Sequence, residues 1–137
     1  MENDFITYEI AKKLKDKEFK EECLCHYIGE DLVYNIESPI ANNQLWFCHN
    51  KHDNIWHRDN VDAPTSSQVL KWLREEKNIV FGIAPMQEMD GDYLGWCITI
   101  LKVADDGYGL SFKEELYYDS YESAVLAGIE YVLDNLI

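Results

Sequence analysis

Seven of the eight cysteine and histidine side chains in this 137-residue sequence, which carry the donor atoms that transition metals prefer, fall within 35 residues: Cys23, Cys25, His26, Cys48, His49, His52 and His57. Thiolate sulfur and imidazole nitrogen suit zinc, which structural sites usually grip through knuckles of two cysteines two to four residues apart. The spacing here is different. Cys23 and Cys25 form a C-x-C pair on an expected strand. Cys48, His49 and His52 come closer to ligand spacing, and His57 completes the set that a metal would use, but no second well-spaced pair accompanies them. The expectation is therefore no metal and no cofactor. The cysteines are read as reduced strand residues acting as small apolar groups, and the histidines as members of a polar loop.

The same loop offers acid–base chemistry. His52 precedes Asp53, and His57 lies two residues before Asp59, so either could pair a base with an orienting carboxylate. A nucleophile is not marked, because the Gly-x-Ser-x-Gly elbow is absent. Gly107-Tyr108-Gly109 sits in an acidic context and lacks the Lys-Ser/Thr of a phosphate-cradling loop. No catalytic residue is assigned. A metal-dependent enzyme using the stretch between His49 and His57 stands as one alternative.

Charge narrows the partners. The chain has 26 acidic and 12 basic side chains, a formal net charge of −14. A protein that neutralises phosphates needs the opposite balance, so direct nucleic-acid binding and anionic lipid are both disfavoured. Residues 88–137 hold eleven carboxylates against only Lys102 and Lys113. Such a field could imitate DNA phosphates and occupy a DNA-binding enzyme, which makes an acidic inhibitor a further alternative. Its plainer role is solubility. If these acids serve only that role, they should be scattered over several faces.

The elements that position these residues follow from periodicity. Ile6, Ile10 and Leu14 recur every four residues and predict a helix over 7–17, capped by Thr7. Residues 22–28 alternate as a strand, with Leu24 and His26 on one face and Cys23, Cys25 and Tyr27 on the other. Further strands are expected over 32–36 and 45–48, followed by an irregular polar loop over 49–61. Thr65 and Gln68 have capping-box spacing ahead of a second helix. Its core face is read as Val69, Leu70 and Leu73, with Trp72 at the margin and Asn78 just past the end. Strands over 79–84 and 93–103 follow. The second is apolar on both faces, which predicts a central strand covered on both sides. Residues 105–109 read as a turn and 114–118 as a last strand. From Tyr121 to about Leu136, the stripe Tyr121, Ala124, Val125, Gly128, Ile129, Val132, Leu133 and Leu136 predicts a helix. Gly128 on the buried stripe points to a close approach to the sheet.

Together these predict one α+β domain over 1–137, with a mostly antiparallel sheet of about five strands and three helices packed mainly on one face. The chain is long enough to bury a core without staples. Most of the tryptophans belong in that core, while Trp56 in the polar loop is the interface candidate.

Three segments carry a resemblance: DFITYEIAKKLKDKEF near the start, APTSSQVLKWLREEKNI in the middle and YDSYESAVLAGIEYVLDNLI at the end. In this order they resemble a group of small gut-bacterial proteins often met in prophage-like or other mobile regions. The resemblance implies a shared fold and a bacterial cytoplasmic setting, and brings no activity to carry over. Where that group often has Gly before the Phe, this chain has Glu18 before Phe19, so the exit from the first helix is expected to differ. Met1-Glu2-Asn3-Asp4-Phe5 shows neither the positive region nor the apolar run of a secretory signal, and no apolar stretch approaches the roughly 20 residues of a membrane span. The expected function is a non-enzymatic cytoplasmic module that binds a protein partner, a second copy of itself included.

Overall fold

A computed structural model describes residues 4–34, 60–105, 107, 109–113 and 117–137. The elements run α1 (Tyr8–Asp16), β1 (Cys25–Ile28), β2 (Asp31–Tyr34), β3 (Asn60–Ala63), α2 (Ser66–Glu76), β4 (Ile79–Gln87), β5 (Tyr93–Val103), β6 (Gly109–Lys113) and α3 (Tyr121–Asn135). The class is α+β. Among the described residues the strands form two antiparallel three-stranded sheets, ordered β2-β1-β3 and β4-β5-β6, rather than one sheet of about five. The chain divides into two compact units, 1–65 and 66–137, each holding one sheet.

In the first unit, the Thr7 hydroxyl caps α1 by accepting from the Ile10 N–H at 3.3 Å. Ile6, Ile10 and Leu14 are buried, as their spacing predicts. The helix ends in a left-handed turn at Glu18, φ 63°. There the Phe19 N–H reaches Leu14 O at 3.0 Å and the Glu18 N–H reaches Lys15 O at 3.1 Å. Both Phe19 and Leu14 are fully buried, at the two positions where an apolar pair commonly accompanies these capping hydrogen bonds. α1 lies on the face of the sheet that carries Cys25, Tyr27, Val61 and Ala63, all buried. Tyr27 fixes it there: its ring meets Tyr8 edge-on at 5.5 Å, and its hydroxyl donates to Ile6 O at 2.6 Å. β3 occupies a stretch read from the sequence partly as loop. Asn60 and Asp62 alternate with Val61 and Ala63, but a strand of four residues is too short for that alternation to stand out from a polar loop.

In the second unit, α3 and α2 pack beside each other against the sheet. Ala124, Val125, Gly128, Ile129, Val132 and Leu133 are buried as expected, while Tyr121 stays 44% exposed. Ser120 and Ser123 cap α3 reciprocally. In α2 the core face is Val69, Trp72 and Leu73; Leu70 is only half-buried. The expected order of Leu70 and Trp72 is thus reversed, because i, i+3 and i+4 set the inward stripe from Val69. The helix exits through Asn78 at φ 56°, a residue type that tolerates this conformation.

β4 runs on through Pro85 to Gln87, beyond the expected end at Ala84. It is an edge strand, where a missing N–H is tolerated. β5 is central, as expected, and α2 and α3 pack on one of its faces. β6 begins at Gly109, inside the stretch read as a turn, and pairs back onto Val103. The turn itself uses Gly107 at φ 87°. Past β6, Tyr118 returns to bridge Trp96, exchanging two hydrogen bonds of 2.8 Å.

Candidate functional site: an uncharged sheet face

Cys48, His49, His52, His57 and the interface candidate Trp56 lie outside the described residues, as does the expected strand over 45–48. Three other places in the described residues bring chemistry-bearing or partner-bearing groups together.

The first is on the first sheet, on the face away from α1. Register places His26 of β1 directly opposite Asp62 of β3. Both are buried, at 9% and 4% exposure, and both make interactions with their surroundings. An imidazole beside a carboxylate is half of a general-base arrangement. The thiol nearest in sequence cannot serve it: Cys25 precedes His26 on an extended strand and so faces the α1 side, where burial raises its pKa. The face therefore presents a buried polar pair among partly exposed Leu24, Ile28 and Val33. Sequence reasoning placed His26 on this face but missed Asp62, whose only signal was its alternation with Val61 and Ala63.

The second is the β4–β5 turn. Glu88, Asp90 and Asp92 bring carboxylate oxygens within 4.8 Å of one another, all exposed. The turn is built by its own hydrogen bonds: Glu88 N–H to Asp92 O at 2.8 Å, Gly91 N–H to Glu88 O at 2.9 Å, and Asp92 N–H to Asp90 Oδ1 at 3.0 Å. Hard cations use such oxygens, but calcium takes six to eight of them. The other described acids of this unit lie elsewhere. Asp105 is at the far end of β5, roughly 36 Å away by strand rise, while Glu122, Glu130 and Asp134 are exposed along α3.

The third is the helix-free face of the second sheet. Strand alternation turns Ile79, Phe81, Ile98 and Ile100 toward the helices and leaves Val80, Gly82, Ala84, Cys97, Thr99, Leu101 and Val103 on the other side. None of these seven bears a charge, in a chain of which 28% is charged. Val80, Gly82 and Ala84 are exposed, and Cys97, Thr99, Leu101 and Val103 are half-buried. The register of β6 sets Gly109, Ser111 and Lys113 opposite Val103, Leu101 and Thr99. Branched Val80, Leu101 and Val103 gather at one end of the face, and Gly82, Ala84 and Cys97 lie toward the other, where Met86 follows them. Where cover was expected on both sides of β5, the described helices of this unit, α2 and α3, pack on the Ile98 side.

Comparisons with protein-family models, with curated proteins and with solved structures find no match to this chain. Among the described residues, no helix is long and apolar enough to cross a membrane.

Proposed function

We propose that the chain is a non-enzymatic protein-binding module of the bacterial cytoplasm, in keeping with the mobile-element proteins it resembles. The observation that supports this is the uncharged face of β4 and β5. Water-exposed surface of an acidic protein is ordinarily studded with charge, and a contiguous uncharged patch marks a place where another surface is received. A partner gains by covering Val80, Leu101 and Val103, with Lys113, opposite Thr99, as the one cation that register places at the β6 margin of the patch.

The test is affinity capture from an extract of the source cells, with wild-type protein and an Ala84→Lys variant side by side. A partner held by the wild type and lost with the variant is the expected result, with the variant's circular dichroism and melting temperature unchanged. Equal recovery on both baits would refute this face as the binding surface. Zinc analysis of untagged protein separates this reading from a metal-dependent enzyme using His49 and His57. One zinc per chain, lost with His49→Ala, would favour the enzyme.

A further inference from the structure

We infer that the end of the second sheet nearest the β4–β5 turn receives an arginine-bearing segment of a partner protein, laid on a row of rings and flanked by carboxylates. This surface is on the helix side of the sheet, apart from the uncharged face on the reverse, and it stands or falls separately.

Register builds the row. Pro85 of β4 pairs with Trp96 of β5, and Tyr118 bridges Trp96 from the other side. Residues directly opposite one another share a face of a sheet, and Trp96, two residues before the inward Ile98, faces the helices. The Trp96 N–H and C=O both bond to Tyr118, at 2.8 Å. Pro85 therefore stands in a non-hydrogen-bonded pair with Trp96, where side chains come closest and a missing N–H removes no ladder bond. Tyr121, the first residue of α3, adds a fourth ring by meeting Trp96 edge-on at 5.5 Å. Helix packing stops short of these rings. Ile98, one row further in, is fully buried beneath Gly128, whereas Pro85 is exposed, Trp96 and Tyr118 are half-buried and Tyr121 is 44% exposed. Tyr121 continues the apolar stripe of α3 yet does not join the core, because its ring lies against Trp96 rather than over Ile98.

The charge around the row is of one sign. Asp119 and Glu122, both exposed, are chain neighbours of Tyr118 and Tyr121. Glu88, Asp90 and Asp92 stand in the turn that begins three residues beyond Pro85, about 10 Å away by strand rise. Neither residues 78–101 nor residues 114–137 contain a lysine or arginine. Lys77 and Lys102 lie toward the opposite end of β4 and β5, roughly 20 Å from the row. The N-terminus of α3 offsets only about half a charge against these five carboxylates.

Rings and carboxylates together specify the occupant. A ring face attracts a cation through its quadrupole, more strongly where water is partly excluded. Arginine suits both halves of the surface: its planar guanidinium stacks on a ring while its N–H fork turns to a carboxylate. The ammonium of lysine is a strongly hydrated point charge with no plane to stack. A quaternary ammonium needs rings on several sides, and this row is open. The rings and the turn acids are about three residues of extended chain apart, so a segment with arginines at that spacing engages both.

Calorimetric titration of the full-length protein at physiological salt tests this. The probes are a short glycine-spaced peptide carrying three arginines and its lysine counterpart of equal charge. The arginine peptide should bind about threefold or more tighter than the lysine peptide. It should also shift the indole N–H resonance of Trp96, assigned through Trp96→Phe. Tyr121→Leu keeps an apolar contact with Trp96 and removes a ring without altering charge. It should weaken the arginine peptide about threefold or more, toward the lysine value. Asp119→Asn combined with Glu122→Gln should weaken both peptides. Equal affinity for the two peptides, unchanged in Tyr121→Leu, would reduce the binding to diffuse attraction by a chain of charge −14 and overturn the site. Absence of binding, or a Trp96 resonance that does not move, overturns it too. Should Tyr121→Leu fail to fold, the peptide preference and the Trp96 resonance of the wild type decide. None of these outcomes bears on capture through the uncharged face, which Ala84→Lys reports.

Discussion

Gly128 of α3 lies directly over Ile98 of β5, so close that a Cβ at position 128 would overlap Ile98 Cδ1 and come within 2.8 Å of Phe81 Cε2. Glycine in a helix interior costs about 1 kcal/mol against alanine. Here it lets the helix settle onto the sheet, and the two neighbours it presses on are the inward residues of β4 and β5. The uncharged outer face is the reverse side of that same contact.

Gly128→Ala should therefore destabilise the protein by about 1–2 kcal/mol, overpacking outweighing the gain in helix propensity. Ile98→Val removes the overlapped methyl. In the Gly128→Ala background it should cost less than it does alone, a coupling that urea denaturation of the four variants would measure. Additive losses would show that the two side chains do not share the space.

The C-terminus of α3 has no basic residue in its last turn, and β5 supplies one. Lys102 Nζ donates to Leu136 O at 2.8 Å, satisfying a carbonyl that the helix leaves open and placing a cation at its negative end. Lys102→Met keeps the aliphatic stem and removes the donor. It should lower stability by about 1 kcal/mol, read as a drop of several degrees in melting temperature. An unchanged melt would mean that water serves the carbonyl equally well.

Glu18 turns the chain out of α1 in a left-handed conformation, where a Cβ is a burden that glycine does not carry. Glu18→Gly should stabilise by about 0.5–1 kcal/mol, whereas Glu18→Ala should not. A gain shared by both would place the effect in the charge of Glu18 rather than in its backbone.

Burial pushes the Cys25 thiol above its ordinary 9.0. Burial, with Cys25 adding to it, pushes the Tyr27 phenol above its ordinary 10.0. Each group ionises more readily unfolded than folded. Their contribution is thus complete below about pH 9 and declines as pH rises through the folded values. Denaturation midpoints should be level from neutral pH to about 9 and fall above it. Cys25→Ala should make that fall shallower. A decline as steep in the variant would assign the alkaline loss to other groups.

The three helices were legible in the sequence because a helix writes its buried face at a fixed period. Ile6, Ile10 and Leu14, and the stripe from Ala124 to Leu133, are spaced by 3.6-residue geometry before any neighbour is known. Their caps at Thr7 and Ser120, and the left-handed exits at Glu18 and Asn78, are also local events, decided within a few residues of the chain. Strand pairing is not local. Whether the strands joined into one sheet or two, that β3 existed, that Pro85 was admitted on an edge and that His26 met Asp62 all depended on hydrogen bonds between residues far apart in sequence. The face of β5 was decided in the same way. Its alternation named two apolar sides, but a strand's composition does not say which side a helix will cover. That followed from the contact of Gly128 with Ile98 and Phe81, and it left Val80 and Ala84 exposed, and Leu101 and Val103 half-buried, on the other side.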